Sequence, residues 1–180
     1  MVVSLPQVSY GVLHTGQGEA VQRVVQGRVV HDLGAGDLVL ANELLNMGAS
    51  RVVAIDKQPP YGWRGDPRIQ VIQSYFHQYS GEIDVAFMSW PQNYNDEGVL
   101  NLIKRAGTVI YLGKNTDGSA CGSIRMFEHL VGRELLTHVP CRENTLLIYG
   151  KELQEPREPV GEEKAALTTY DRMWMFEELA

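Results

Sequence analysis

The sequence predicts a single α/β domain built on a doubly wound, mostly parallel β-sheet that closes with a terminal antiparallel strand pair. Three observations predict it. Short apolar runs rich in Val and Ile alternate with helix-period segments through most of the chain, the pattern of repeated strand–helix–strand units. Residues 29–56 make one such unit around a glycine turn: Val29-Val30-His31-Asp32-Leu33, Gly34-Ala35-Gly36-Asp37, a helical pattern, then Arg51-Val52-Val53-Ala54-Ile55-Asp56. Near the C-terminus, Leu135–Pro140 and Thr145–Gly150 are joined by a turn at Arg142-Glu143-Asn144. So short a connection joins antiparallel strands, because a parallel pair needs a crossover of a dozen or more residues.

The first unit carries the chemistry. Gly34 and Gly36 put no Cβ in the way of a ligand. Asp37 stands at the helix entrance, where a side-chain oxygen caps free N–H groups. Leu38, Leu40, Ala41, Leu44, Leu45 and Met47 recur at helical spacing, and Gly48 stops the helix. Open α/β sheets bind ligands beyond the carboxyl ends of their strands, beside the first strand. Asp56 ends the second strand about 20 residues after the turn, where an acid accepts hydrogen bonds from a ribose diol. A nucleoside-containing cofactor is therefore expected.

A dinucleotide calls for G-x-G-x-x-G, and Val39 stands where the third glycine belongs. Asp32, just ahead of the turn, suits a cationic ligand better than a pyrophosphate. Asp32-Leu33-Gly34-Ala35-Gly36 resembles the D-x-G-x-G motif of class I S-adenosylmethionine-dependent methyltransferases, and Asp56 matches that family's ribose-binding acid. The resemblance spans residues 10–151 and identifies no subfamily. It implies a Rossmann-like fold and S-adenosylmethionine as cofactor. It also implies that the glycine turn lies against the methionine part while Asp56 holds both ribose hydroxyls.

Size and composition set the outer bounds. At 180 residues, with 44% hydrophobic and 21% charged residues, the chain is ordinary for one soluble domain with a substantial core. The net charge is −6, and the Lys and Arg residues are dispersed, which argues against tight duplex nucleic-acid binding. Cys121 and Cys141 have neither C-x-x-C spacing nor histidines at metal spacing, so they read as free thiols and no metal is expected. No apolar run approaches the ~20 residues of a membrane span, and no basic and apolar leader opens the chain. The expectation is a cytoplasmic protein with no membrane contact.

Ahead of the first strand, Ala20, Val21, Val24 and Val25 give a helix over Gln17–Gln26 that Gly27 ends. In the resembling family the segment before this helix carries a Tyr or Thr that touches the cofactor's carboxylate. Tyr10 and Thr15 occupy it here, although Thr15 by itself reads rather as a helix cap. Lys57–Arg68 holds three prolines and two glycines, which oppose a helix and leave an irregular crossover. Its Tyr61 and Trp63 either line a ligand entrance or cover the sheet face that a helix would have covered. Arg68–Ile72 alternates as a third strand and Gln73-Ser74 ends it; the resemblance places an adenine-binding polar residue there. Tyr75–Tyr79 reads as a short helical or loop piece, and Ile83–Met88 as a central strand buried on both faces.

At that strand's carboxyl end comes Ser89-Trp90-Pro91-Gln92-Asn93-Tyr94, which loosely resembles the [DNS]-P-P-[YFW] motif of amino methyltransferases. Ser89 matches the polar position and Pro91 the second proline, while Trp90 replaces the first, Gln92 the aromatic, and Tyr94 comes two residues late. The resemblance implies that Ser89, Pro91 and Tyr94 present an acceptor amine; a plain proline turn is the alternative.

Val99–Arg105 reads as a helix and Gly107–Leu112 as a fifth strand, followed by a polar loop in which Lys114 and Asn115 face substrate or solvent. Ser123 caps a helix with Ile124, Phe127, Leu130 and Val131 on its inner face. Beyond the domain over 1–151, residues 152–180 divide into an acidic, Pro-containing exposed linker to 163 and an apolar tail. Leu167, Tyr170, Met173 and Trp174 share one helical face in that tail, and Thr168 or Thr169 starts it. Such a tail docks on its own domain or on a second copy of the chain.

The functional expectation is methyl transfer, with nitrogen of a small molecule or protein as acceptor. A neutral amine needs no separate base, whereas a hydroxyl would call on His14 or His77. A methyltransferase-like binding or regulatory protein is the alternative, favoured by the altered motif at Ser89–Tyr94 and disfavoured by the intact turn and Asp56. An NAD-linked oxidoreductase is a third reading, opposed by Val39 and by the terminal strand pair.

Overall fold

A computed structural model describes residues 13–91, 96–114 and 121–168. One sheet of seven strands runs in the order β3-β2-β1-β4-β5-β7-β6. The strands are β1 (Val29–Leu33), β2 (Arg51–Asp56), β3 (Ile69–Gln73), β4 (Val85–Ser89), β5 (Thr108–Gly113), β6 (Arg133–Pro140) and β7 (Thr145–Glu152). The first five are mutually parallel, and β7 lies antiparallel between β5 and β6. Helices α1 (Thr15–Val25) and α2 (Val39–Asn46) cover one face; α3 (Asp96–Arg105) and α4 (Ile124–Val131) cover the other. A further helix, α5, runs over 161–168.

The strands form where side chains can be buried on both faces. Every residue of β5 is buried, as are four of the five in β4, the pattern of a parallel sheet covered by helices. Val30, Val52, Val85 and Phe87 pack towards α1 and α2, whereas Val53, Ile55, Ala86 and Met88 pack towards α3 and α4. In α1, Gly16 and Gly18 cost about 1 kcal/mol each in helix propensity. Burial of Val21 and Val25, both 0% exposed, returns roughly 1.5–3 kcal/mol each, so packing rather than propensity makes this helix.

Four local readings change. The N-cap of α1 is His14, whose N–H donates to Gln17 Oε1 at 3.1 Å, so Thr15 is the first helical residue and not the cap. The cap of α2 is Leu38; Asp37 sits one residue further out, and its Oδ1 accepts from Val39 N at 3.2 Å. In α4, Ser123 caps as expected, accepting from Met126 N at 3.2 Å. That starts the helix at Ile124 and turns Met126, rather than Ile124, inward with Phe127, Leu130 and Val131.

The fourth change concerns the acidic segment. It is largely exposed, but Glu163 is 0% exposed and α5 begins at 161, not at Thr168 or Thr169. Glu163 accepts from Val160 N at 2.9 Å, the carboxylate half of a capping box. It also takes Tyr149 Oη–H at 2.7 Å and both terminal nitrogens of Arg157, at 2.5 and 2.9 Å. A charge buried with its partner holds the segment against β7, and Ala166 enters the core behind it. Of the tail's apolar face, Leu167 packs against the α3–α4 core, whereas Tyr170, Met173 and Trp174 lie outside the described residues.

The crossover over 57–68 contains no helix, as its prolines require. Trp63 is half-buried against the α1–α2 core, while Tyr61 is fully exposed.

Candidate functional site

The reversal of strand order between β1 and β4 opens a crevice at the carboxyl ends of those strands. Leu33 is in register with Met88, so the glycine turn after β1 and the Ser89 segment after β4 leave the sheet side by side.

The turn is held by backbone bonds. Gly34 N and Ala35 N both donate to Ile55 O, at 2.8 and 3.3 Å, and Leu38 N donates to Ala35 O at 2.9 Å. Gly34 (φ +84°) and Gly36 (φ +51°) occupy the left-handed region that glycine enters without a Cβ penalty. Leu38 adopts φ +67° as well, although it is neither Gly nor Asn. Its side chain is 0% exposed in the α1–α2 core, which holds this disfavoured conformation in place.

Asp56 faces the turn. Its Oδ2 accepts from Gly36 N at 3.0 Å and its Oδ1 from Gln58 N at 2.7 Å. Each carboxylate oxygen accepts more than one hydrogen bond. The two backbone donors therefore fix the carboxylate and leave it capacity for a diol. Beside it, a cavity of about 330 Å³ is lined by Lys57, Gln58, Gln73, Ser74, Tyr75 and Gln78. Gln73 and Ser74 thus come together at the ends of β2 and β3. Gln73 Nε2 donates to Lys57 O at 3.3 Å, Ser74 Oγ donates to Tyr75 O at 2.9 Å, and Ser74 N donates to Asp56 O at 3.0 Å.

Asp32 is the most unusual group. It is 2% exposed, and its Oδ2 is buried with no hydrogen-bond partner. Burial, then Asp56, then Asp37 push its carboxyl up to about 7. Burial and two negative neighbours both disfavour the charged form of this carboxyl.

On the other side of the crevice, Ser89 ends β4 opposite Leu112 of β5. Trp90 turns sharply at φ +50°, with its N–H donating to Leu112 O at 2.7 Å and its ring against the α3–α4 core. Pro91 follows, half-buried. Tyr94 and Asn115 lie outside the described residues, as does Tyr10. Thr15 is exposed on the first turn of α1. Lys114 donates to Arg142 O at 2.5 Å, which ties the end of β5 to the β6–β7 turn rather than freeing the amine for substrate.

Each candidate base has a neighbour of its own. His14 Nε2 lies 3.0 Å from Glu143 Oε2, and His77 stacks on Tyr75 with ring centres 5.6 Å apart. Among the described residues no cluster of His, Cys, Asp and Glu is arranged to hold a metal, and no helix is long and apolar enough to cross a membrane.

What the sequence reading missed is Leu38, Trp90, and the part of Lys57, Gln58, Tyr75 and Gln78 in the cavity wall. No residue-type signal marks the first two, since left-handed conformations are signalled by Gly or Asn.

No protein-family model matches the sequence, and no characterised protein matches it significantly. Solved structures do resemble it. A SAM-dependent methyltransferase from Aquifex aeolicus superposes with a TM-score of 0.57 at 18% identity, over 73% of this chain and 88% of that one. The 1,6-didemethyltoxoflavin-N1-methyltransferase of Burkholderia thailandensis, solved with S-adenosylhomocysteine, gives 0.55 at 17% identity over 75% and 78%. A Streptococcus thermophilus protein described as a candidate hemolysin gives 0.59 at 18% identity over 97% and 78%.

The chain has the class I methyltransferase fold. The antiparallel β7 inserted between β5 and β6 closes the sheet as the sequence predicted. Within a class I methyltransferase fold the glycine turn, Asp56 and the β2–β3 cavity occupy one side of the crevice, and Ser89–Pro91 the other. The fold alone does not decide the chemistry, which has to be argued from the site.

Proposed function

We propose that this chain is an S-adenosylmethionine-dependent methyltransferase acting on a nitrogen acceptor. One observation carries the reading: a buried carboxyl, Asp32, whose Oδ2 has no hydrogen-bond partner among the described residues, beside a glycine turn, with Asp56 anchored one strand away. A pyrophosphate would meet repulsion from Asp32, Asp37 and Asp56, whereas a ligand bearing ammonium and sulfonium charges offsets them. The residues present fit the cofactor. Asp56 accepts the ribose hydroxyls, Gly34 and Gly36 let the backbone approach the methionine part, and Gln73 and Ser74 face the base. Thr15 lies on the carboxylate side.

When bound, the cofactor supplies a methyl group on a sulfonium, open to in-line displacement. The protein's task is to place a neutral amine on that line, which is a matter of orientation rather than of acid–base chemistry. The segment after Met88 leaves the sheet beside the turn, and in this reading Ser89 and the backbone before Pro91 hold the amine, with Tyr94 as the aromatic of the motif. The acceptor belongs to a small molecule or a protein. A second reading, a methyltransferase-like protein that binds without turnover, is favoured by Trp90 and Gln92 at the motif positions of proline and an aromatic residue.

Calorimetric titration of the purified protein with S-adenosylmethionine, S-adenosylhomocysteine and NAD tests the reading. Micromolar binding of the first two without NAD supports it and opens a screen of amine acceptors. Binding of NAD alone, or of none of the three, overturns it.

A further inference from the structure

Asp32 sits in a setting that a resident cation would complete. On β1 it is in register with Ala54 of β2 and Phe87 of β4. The buried faces of the helices over this side of the sheet hold Gln17, Ala20, Val21 and Val25 in α1, and Leu40, Ala41, Leu44 and Leu45 in α2. None of these ionises. The charges that act on Asp32 are Asp56 from β2 and Asp37 from the turn, both negative. Its Oδ2 has no donor. A carboxyl so placed is comfortable as the neutral acid or as an anion with a cation beside it; the bare anion is the disfavoured state.

We infer that a positively charged ligand enters beside the glycine turn by displacing a proton from Asp32, so that the site selects ligands by charge. The inference rests on the functional reading above. In the exchange the O–H bond of the Asp32 carboxyl breaks, its electron pair stays on the carboxylate, and the proton passes to buffer. Nothing is oxidised or reduced. A neutral nucleoside that fills the ribose and base subsites leaves the proton where it is. Above neutral pH the proton is already gone, and the cation binds without that competition. Proton and ligand are then linked, each weakening the other's hold.

The experiment is calorimetry at pH 5.5, 7 and 8 in buffers of different ionisation enthalpy, with S-adenosylmethionine and with its neutral fragment 5′-methylthioadenosine. With the Asp32 carboxyl at about 7, the Kd for S-adenosylmethionine is expected to rise about 30-fold from pH 8 to 5.5. About half a proton is released per ligand at pH 7. The neutral fragment shows neither effect. In Asp32→Asn the pH dependence between 5.5 and 8 disappears, and because proton release is read on the unaltered protein, the test survives a variant that binds poorly. S-adenosylmethionine binding with a flat pH profile and no proton release overturns this inference and leaves the cofactor assignment standing. Absence of binding at every pH overturns both.

Discussion

Replacing Asp32 with Asn makes a sharp prediction about stability that needs no ligand. In the folded protein the buried carboxyl is pushed up to about 7, from 3.8 in an unperturbed carboxyl. Below 3.8 both states hold the proton and the group costs nothing. Between 3.8 and 7 the folded protein still holds a proton that the unfolded chain has released, so stability falls as pH rises; above 7 the loss levels off. At ~1.4 kcal/mol for each tenfold step, the full span is ~4 kcal/mol, of which more than half accumulates between pH 5 and 8. Against a typical total of roughly 5–15 kcal/mol that is easily measured. The Asn amide keeps the shape and does not titrate, and its own unsatisfied group costs roughly 1–3 kcal/mol at both pH values. The absolute stability of the variant therefore decides nothing. The assay is urea unfolding of both proteins at pH 5 and pH 8, followed by tryptophan fluorescence. The wild type should lose ~2–3 kcal/mol relative to Asp32→Asn on going to pH 8. Parallel behaviour of the two proteins refutes the claim that Asp32 is buried without a partner.

The remaining predictions concern the rest of the site and the docked C-terminal segment. Asp56→Ala should weaken S-adenosylmethionine binding more than about tenfold, since a charged acceptor to two hydroxyls and the anchor of Gly36 N are lost together; unchanged affinity by calorimetry removes the ribose role. Ser89→Ala should leave cofactor affinity unchanged and lower turnover on the true acceptor, and a loss of cofactor binding would show that the segment after β4 has been misassigned. Glu163→Ala should destabilise the protein by roughly 3–5 kcal/mol in urea unfolding, because it takes the buried carboxylate from Arg157, leaving that guanidinium the backbone oxygens of Arg133 and Glu158, and removes the acceptor of the Tyr149 hydroxyl.

Most of the sheet was legible because parallel strands buried on both faces have to be written as apolar runs. The third strand shows the ordinary error: the alternation places it at Arg68–Ile72 and the structure at Ile69–Gln73, since pattern marks the middle of a strand and hydrogen bonding marks its ends. The missing helix over 57–68 was legible for a different reason, because proline acts on local backbone whatever surrounds it. α5 was not. Its start depends on Glu163 folding back onto Val160 N while Arg157 and Tyr149 neutralise it from elsewhere in the chain. A stretch of Glu and Pro reads as solvated when the partner that lets one Glu be buried is invisible. In the site, Asp32, Gly34, Gly36 and Asp56 were readable together because short spacing and strand ends bring them together. The cavity wall of Lys57, Gln58 and Gln78 was not, since it takes the registry of β2 with β3 to assemble it.

Leu38 and Trp90 show why the two halves of the crevice differ in what a sequence reveals. Both hold left-handed backbone without being glycine, at the carboxyl ends of the adjacent strands β1 and β4. Left-handed conformation costs an ordinary residue about 1–2 kcal/mol, and burying a leucine returns roughly 1.5–3 kcal/mol. At Leu38, with its side chain 0% exposed, packing outweighs backbone preference, and the turn keeps its shape without advertising it. Trp90 adds a short N–H bond to Leu112 O, so the chain after Ser89 is aimed by the ring's packing rather than by a recognisable turn residue. The proposed cofactor side escapes this difficulty because it is built from carboxylates and glycines, which residue type and spacing mark. The proposed acceptor side begins at a packed tryptophan, whose left-handed turn no residue-type signal marks. A change at Trp90 should therefore alter acceptor use before it alters the glycine turn, which is held separately by Ile55 O and Asp56.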